Sequence, residues 1–319
     1  MTRFGYACLN MTLAEGKPKV NPNRGMVKKT WEAKGLPHAS SLTLLNVQDL
    51  LTMVRWNRGQ GIEVFRITSN LVPWSTEYEL EQLPDWAVIA EVLATIGREA
   101  LAAGQRLSFH PGPYNVLASP TPAVVENTIR DLRTHGELFD AMGLPRSPAA
   151  KINIHVGGAY GEPEAALARF CQAFEKLPES VQGRLTVEND DRTSLFSTKM
   201  LFAGVHKPLG IPIVFDSHHW ELGPQDQPYG EALATAVSTW PSGVRPCCHH
   251  SNSRQYEDKA SPAKAHSDWY YTPFDDCGHD VDVVLESKKK ERALLKYLED
   301  FVDFAPPTLP TSNNVQELL

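Results

Sequence analysis

No run of 18 apolar residues occurs anywhere in this 319-residue chain, which argues against a transmembrane helix. The opening residues, MTRFGYACLN, lack the apolar core of a secretory signal peptide. Cysteine is scarce and odd in number: Cys8, Cys171, Cys247, Cys248 and Cys277 show no framework spacing. That pattern points to reduced thiols in a cytoplasmic protein rather than a disulfide scaffold. Also missing are a Ser-His-Asp order, a P-loop and a dinucleotide fingerprint, so nothing competes with the chemistry described below. No internal repeat and no second domain is visible. One large domain is expected over residues 1–304, followed by a Pro-rich polar tail, 305–319, expected to fray.

What is present is an alternation. Strand-like runs fall at 3–8, 62–67, 106–110, 150–156, 184–188, 211–216, 244–249 and 281–286. Helix-like segments separate most of them: 42–58, 85–103, one that starts at Thr121-Pro122 and stops at Gly143, 162–176, 193–206, 228–239 and 289–304. Strand–helix alternation implies a parallel sheet, and eight rounds favour closure into an α/β (β/α)8 TIM barrel over an open sheet. The loops after the strands are long (9–41, 68–84, 111–120, 250–280), which places function at the C-terminal face.

The apolar runs end in the same few residue types. They read LSFH, INIHVGG, LTVEND, IVFDSHH, CCHH and VDVVLES, and they present His110, His155, Glu188, Asp216, His219, His249 and Glu286; His266 joins them. Strand ends of a closed barrel converge, so residues distant in sequence become neighbours. A buried strand would not leave the carboxylates of Glu188 and Glu286 unpaired. Mixed imidazole and carboxylate suits Zn, Mn, Fe or Mg rather than a thiolate site. Eight such residues are too many for one ion; two or three ions imply phosphoester chemistry. Neighbouring strand residues point to opposite sides, so one His of each adjacent pair is expected to bind. His219 is preferred over His218 by the D-x-x-H spacing, and His249 over His250 by strand phase.

The formal charge of −7 argues at first against nucleic acid. Three divalent ions would bring it to about −1. Charge is also uneven: residues 17–34 carry Lys17, Lys19, Arg24, Lys28, Lys29 and Lys34 against Glu32 alone. This run follows the first strand, at the barrel mouth, where it could meet phosphates.

Read together, GYACLN (5–10), FRITSNLVPW (65–74), RLSFHPGPY (106–114), HVGGAYGE (155–162), VENDDR (187–192), FDSHH (215–219) and VLESKKKE (284–291) resemble the UV damage endonuclease family. The resemblance spans nearly the whole chain, with endonuclease IV and the xylose-isomerase-like barrels as relatives by fold. It implies a three-metal cluster, commonly manganese, with zinc or magnesium as alternatives, and catalysis through Glu188, Asp216 and Glu286. It implies incision of double-stranded DNA immediately 5′ to cyclobutane pyrimidine dimers or (6-4) photoproducts by a monomer working at the nucleoid. By matching motif it also implies that Tyr6 and Asn10 meet the flipped lesion or nearby backbone, and that Tyr114 probes the duplex where the lesion left it.

Three positions depart from the family pattern. Asn70 stands where a histidine is expected and offers only a weak carbonyl ligand. Pro113-Tyr114 replaces a Gln-Tyr pair, and proline can act as an apolar wedge. Cys247 stands near the place of a lysine that is modified to a metal-bridging carbamate. Competing functions are an abasic-site endonuclease, a metal-dependent sugar isomerase or epimerase on the same barrel, and a lesion-binding protein without catalysis. The basic 17–34 loop and Tyr6 and Tyr114 argue against the isomerase. The GYACLN and HPGPY segments favour the photolesion branch over the abasic-site enzyme. Glu188, Asp216 and Glu286 would be costly to bury without metal in a protein that only binds.

Overall fold

The computed structural model describes residues 1–302; the domain boundary expected at 304 and the tail 305–319 lie outside the described residues. Eight parallel strands close into a barrel: β1 (Arg3–Cys8), β2 (Val64–Ile67), β3 (Arg106–Phe109), β4 (Ile152–Ile154), β5 (Leu185–Glu188), β6 (Ile213–Asp216), β7 (Cys247–His250) and β8 (Asp282–Leu285). Each strand pairs with the next in sequence, and β1 pairs with β8 to close the ring, Tyr6 lying opposite Phe65 on one side and Leu285 on the other. Every run expected to be a strand is one.

Two separate apolar clusters result. The large one fills the space between sheet and helices, with Phe65, Phe109, Phe139, Phe170 and Phe215 fully buried in it. The small one lies inside the barrel: Ala7, Val64, Val214, Cys247 and Val284, with Trp240 below. So short a column leaves both ends of the barrel polar. At the floor, the buried Asp282 accepts from Arg3 Nε at 2.7 Å and from Arg106 Nη1 at 2.9 Å, tying β8 to β1 and β3.

The helices follow the apolar periodicity, with informative exceptions. The segment 9–41, expected as one long loop, holds a short helix (Met11–Glu15) and the first turns of a long one (Lys28–Gly59). That long helix breaks at Gly35, where φ is +52°, just before Pro37. The helix expected at 193–206 begins at Thr198, because the Ser197 hydroxyl accepts from Met200 N, and it continues to Leu209. Buried Asn46 fixes the loop after β1: its side chain accepts from Arg24 N and donates to the carbonyls of Arg24 and Leu71, each at 3.0 Å. Among the described residues no helix is long and apolar enough to cross a membrane.

The helix Trp86–Ala102 approaches the turn before β4 so closely that a Cβ at Gly97 would lie 1.7 Å from the Met142 carbonyl oxygen. Both sides of that contact are backbone and cannot rotate away. Gly97→Ala is therefore expected to lower stability by about 2 kcal/mol or more, read as a lower urea midpoint; an unchanged midpoint would show that the two elements do not touch.

Candidate metal centre

Barrel closure brings the strand-end residues to one focus. Glu188, at the end of β5 and almost fully buried, is its centre. His110 Nε2 and His249 Nδ1 each lie 3.1 Å from Glu188 Oε2, and His219 Nδ1 lies 3.2 Å from Oε1. Asn153 of β4 donates to Oε2, and Thr186 holds Asn153 in turn at 2.8 Å. Two groups bring ligand atoms within 4.8 Å of one another: His110, His155 and Glu188, and Glu188, Asp216 and His249. Glu188 belongs to both, so it is the residue the two candidate groups share.

The donor atoms fit that role. His110 Nδ1, His249 Nδ1 and Asp216 Oδ2 are buried without a hydrogen-bond partner. His249 Nδ1 lies 3.1 Å from oxygens of both Glu188 and Glu286 without hydrogen-bond alignment. Buried polar atoms normally pair, and lone pairs converging on shared space are what a cation would satisfy. Two further imidazoles have one nitrogen anchored on a backbone carbonyl: His219 Nδ1 on Asn189 at 3.0 Å and His266 Nδ1 on Glu286 at 2.6 Å. Such anchoring leaves Nε2 with its lone pair.

Electrostatics centre on the carboxylates. Burial alone would raise the Glu188 carboxyl; His249 and His155, with bonds from His110 and His219, hold it well below the usual range. Burial works the same way on Glu286, and Arg66 and His249 outweigh it. Burial drives His110 down to about 4, leaving a neutral imidazole. At His219 burial is overcome by Asp216 and Glu188, and the ring is held well above its ordinary value.

The two adjacent-histidine pairs differ in how their ring nitrogens are engaged. Both nitrogens of His250 are engaged, with Ser217 Oγ at 2.7 Å and Thr272 O at 3.1 Å, so only His249 of that pair has a free donor. His218, set aside on spacing, is buried with Nε2 unpartnered, and its ring stands edge-on to His266 with centroids 5.9 Å apart.

Several expected placements change. Asn70 is exposed and lines a different cleft with Asn23, Trp74, Tyr114 and Asp131, a cleft that none of the eight expected ligands lines. The β2 residue that reaches the cluster is Arg66, paired with Glu286. Tyr6 does not face the mouth. It is fully buried, its hydroxyl donating to Asn57 Oδ1 at 2.8 Å and accepting from Asn10 at 3.1 Å, while the equally buried Asn10 caps the helix at Met11. Arg24 is committed to Asp49 at 2.7 Å, whereas Lys17, Lys19, Lys28 and Lys29 are exposed, Lys28 standing 3.8 Å from Glu32. Pro113 and Tyr114 are exposed, Tyr114 by 67%, and its ring rests on Gly112, where a Cβ would lie 2.7 Å away.

Cys247 is barrel core, and burial pushes its thiol up, away from the thiolate form. The amine beside it is Lys151, from the approach to β4: fully buried, with Nζ 3.2 Å from His249 Nε2. For His249 Nδ1 to offer a lone pair, Nε2 must carry the proton and Lys151 must accept it as a neutral amine. Burial pushes Lys151 in that direction.

Asp190, which no sequence pattern singled out, places its carboxylate 3.2 Å from His155 Nδ1, near enough for its charge to act on that ring but without hydrogen-bond alignment. Asn189 clamps the ends of β5 and β6, donating to Asp216 O and accepting from Asp216 N. Tyr160 is half exposed in a left-handed conformation, φ +55°, above Gly158. The G-x-Y spacing it shares with Gly112–Tyr114 was the available signal.

A closed (β/α)8 barrel with a buried histidine–carboxylate focus at the C-terminal strand ends defines a barrel scaffold whose buried groups could hold a metal ion. L-ribulose 3-epimerase shares this fold, at 13% identity and a TM-score of 0.50. The family model for UV-endonuclease UvdE matches residues 2–316. A UV DNA damage endonuclease of Bacillus pumilus is 32% identical over 93% of both chains. The UV-damage endonuclease of Schizosaccharomyces pombe is also 32% identical over 96% of this chain, which spans 51% of that longer protein. The crystal structure of SacUVDE matches with a TM-score of 0.80 and 28% identity, covering 94% of this chain and 97% of that one. The chain belongs to the UvdE family of UV endonucleases.

Because Glu188 is shared by both ligand groups, Glu188→Gln should lose divalent-metal binding at both, while His110→Ala should weaken one. Metal content after dialysis against Mn²⁺, read by elemental analysis, distinguishes the two. Wild-type content in Glu188→Gln would remove Glu188 from the centre.

Proposed function

We propose that this protein is a DNA repair endonuclease that makes a single-strand incision immediately 5′ to UV photolesions, cyclobutane dimers and (6-4) photoproducts, leaving a 3′-hydroxyl and a 5′-phosphate. The observation that carries the proposal is the shared Glu188 joining two ligand groups at the mouth of a UvdE-family barrel. His110, His155, Glu188, Asp216, His219, His249, His266 and Glu286 hold two or three divalent ions, of which manganese fits the oxygen and nitrogen donors, with zinc or magnesium as alternatives. Bound there, such ions activate water and neutralise charge on a phosphoryl group.

The chain's own groups do the rest. Asp190 places a negative charge beside the His155 ring, and Lys151 fixes the protonated nitrogen of His249. Arg66 keeps Glu286 ionised, so its charge is available at the cluster. Asn70 has no part in this set. Tyr6 and Asn10 shape the mouth from beneath, as a buried hydrogen-bonded pair that positions the loop after β1. The partner is double-stranded DNA, the enzyme acts as a monomer, and its place of work is the nucleoid.

A barrel mouth reaches a phosphate beside a stacked lesion only if the duplex opens. Damaged bases stack poorly and cost less to extrude, which supplies selectivity. Tyr114, exposed and seated on Gly112 behind the turn 111–113, fills the gap, with Pro113 as an apolar wedge. Lys17, Lys19, Lys28 and Lys29 contact the backbone from the first loop.

Incision of a 5′-labelled duplex carrying one cyclobutane dimer is expected with Mn²⁺ and not with chelator. Glu188→Gln and Glu286→Gln should abolish it while lesion binding stays measurable; wild-type rates in either would sink the assignment. Tyr114→Ala should lose lesion affinity by roughly 1–3 kcal/mol, the worth of one base–aromatic stack, at unchanged metal content. Equal lesion affinity in wild type and mutant would rule the wedge out. Removing the charges of Lys17, Lys19, Lys28 and Lys29 together should flatten the salt dependence of binding, and an unchanged slope would take this loop out of the interface.

A further inference from the structure

Beside the metal centre, sharing two of its histidines, lies a cavity of about 460 Å³ whose outer rim has no role in the assignments above. Its inner wall is His155, His219 and Asp190, and its outer rim carries Arg192, from the loop after β5, and Lys264, from the β7–β8 connection. Its volume falls among those of small-ligand pockets, about 300–1,000 Å³. The sides are backbone-rich: Gly157 approaches the loop after β3 so closely that a Cβ there would meet Val116 Cγ1 at 2.3 Å. That contact packs the loops after β3 and β4 together as one wall.

The rim is short of negative charge. Lys264 Nζ and Arg192 Nε both lie 3.8 Å from the one carboxylate of Asp191, on its two different oxygens. No hydrogen bond among the described residues engages either cation, and their side chains are 54% and 63% exposed. Asp190 is buried, lies 3.2 Å from His155 Nδ1, and is within ion-pair distance of neither rim cation. Three consecutive residues thus divide the work: Asp190 turns inward to a ligand histidine, Asp191 sits between two cations, and Arg192 points outward. Pairs at 3.8 Å on the surface hold weakly, so an incoming anion can replace Asp191 at little loss.

We propose that this cavity is a phosphodiester subsite in which Arg192 and Lys264 together hold a DNA backbone phosphate next to the one at the metal centre. The proposal rests on the nuclease function above. A chain of phosphates is the ligand that satisfies both walls: one phosphate faces the imidazoles, and its neighbour along the strand meets the guanidinium and ammonium at the rim. A guanidinium fork suits phosphate oxygens, and the ammonium adds a mobile point charge. The subsite is independent of the 17–34 loop and lies on other strand-end loops of the same face. It sets the register of the strand and carries no base specificity.

The test uses the metal-loaded, full-length protein and a duplex with one cyclobutane dimer. Binding is measured across a salt series, with incision and metal content measured in parallel. Arg192→Ala/Lys264→Ala, both changes at exposed side chains, should weaken binding at least about fivefold at low salt and make the log–log salt slope shallower by roughly one, the release of one phosphate contact. Metal content should not change. Asp191→Asn should act in the opposite direction and tighten binding, because it frees both cations. Unchanged affinity and slope in the double variant, or weaker binding in Asp191→Asn, would overturn the subsite while wild-type incision leaves the nuclease function standing. The predicted changes in both variants, with a wild type that binds the duplex and never incises it, would keep the subsite and sink the nuclease function.

Discussion

A carboxylate buried at the centre of a protein must be surrounded by positive charge or by donors, and Glu188 is that carboxylate here. Its oxygens are met by His110, His219 and His249 at 3.1–3.2 Å and by Asn153. Those groups come from β3, β4, β7 and the turn after β6, so the charge is balanced only when the barrel is closed. Glu286 poses the same problem at the end of β8, the closing strand, and is answered by Arg66 of β2, on the far side of β1. Buried pairs of this kind seldom add net stability, but removing one partner is costly. The mouth is therefore a place where the fold accepts electrostatic expense in exchange for a preorganised set of donors.

The rest of the barrel is arranged to make that tolerable. At the floor Asp282 is held by Arg3 and Arg106, and a thin apolar column separates this network from the mouth. The large apolar cluster lies outside the sheet, between strands and helices, where it stabilises the ring without entering the site. Around the candidate ligands stands a second set of groups: Lys151 on His249, and the carbonyls of Asn189 and Glu286 on His219 and His266. Each favours one nitrogen of its ring for the centre. Farther out, Tyr114 and Tyr160 sit on glycines two residues earlier in their loops, which leaves room for large rings where a Cβ would clash.

The strands and the amphipathic helices were legible because burial repeats with the period of the element. The ligand types were legible because a polar residue ending an apolar run has few other uses. The helix inside 9–41 was not: its first turns are polar and exposed, and they are held by contacts such as Trp31 stacked on Trp74, with ring centroids 5.7 Å apart. Tyr6 and Asn10 sit in a motif whose resemblance to the UV damage endonuclease family implied contact with DNA, yet strand phase and the partner Asn57, 51 residues away, draw Tyr6 into the core. Arg66 and Lys151 were invisible as site residues because each lies within a strand or just before one, and nothing local says that a charged side chain points inward.

What the sequence by itself determined is the eight-fold strand–helix order, the closed parallel barrel, and the identity of eight candidate ligands at its C-terminal face. These follow from short-range periodicity and from the chemistry of single residues. Only the tertiary structure decided that Glu188 is shared by two ligand groups, that His249 rather than His250 has a free nitrogen, that Arg66 and not Asn70 represents β2 at the centre, and that Tyr6 is core while Tyr114 is exposed. Each of those facts is a distance or a direction between groups far apart in the chain. Ring closure sets them, and no local pattern carries them.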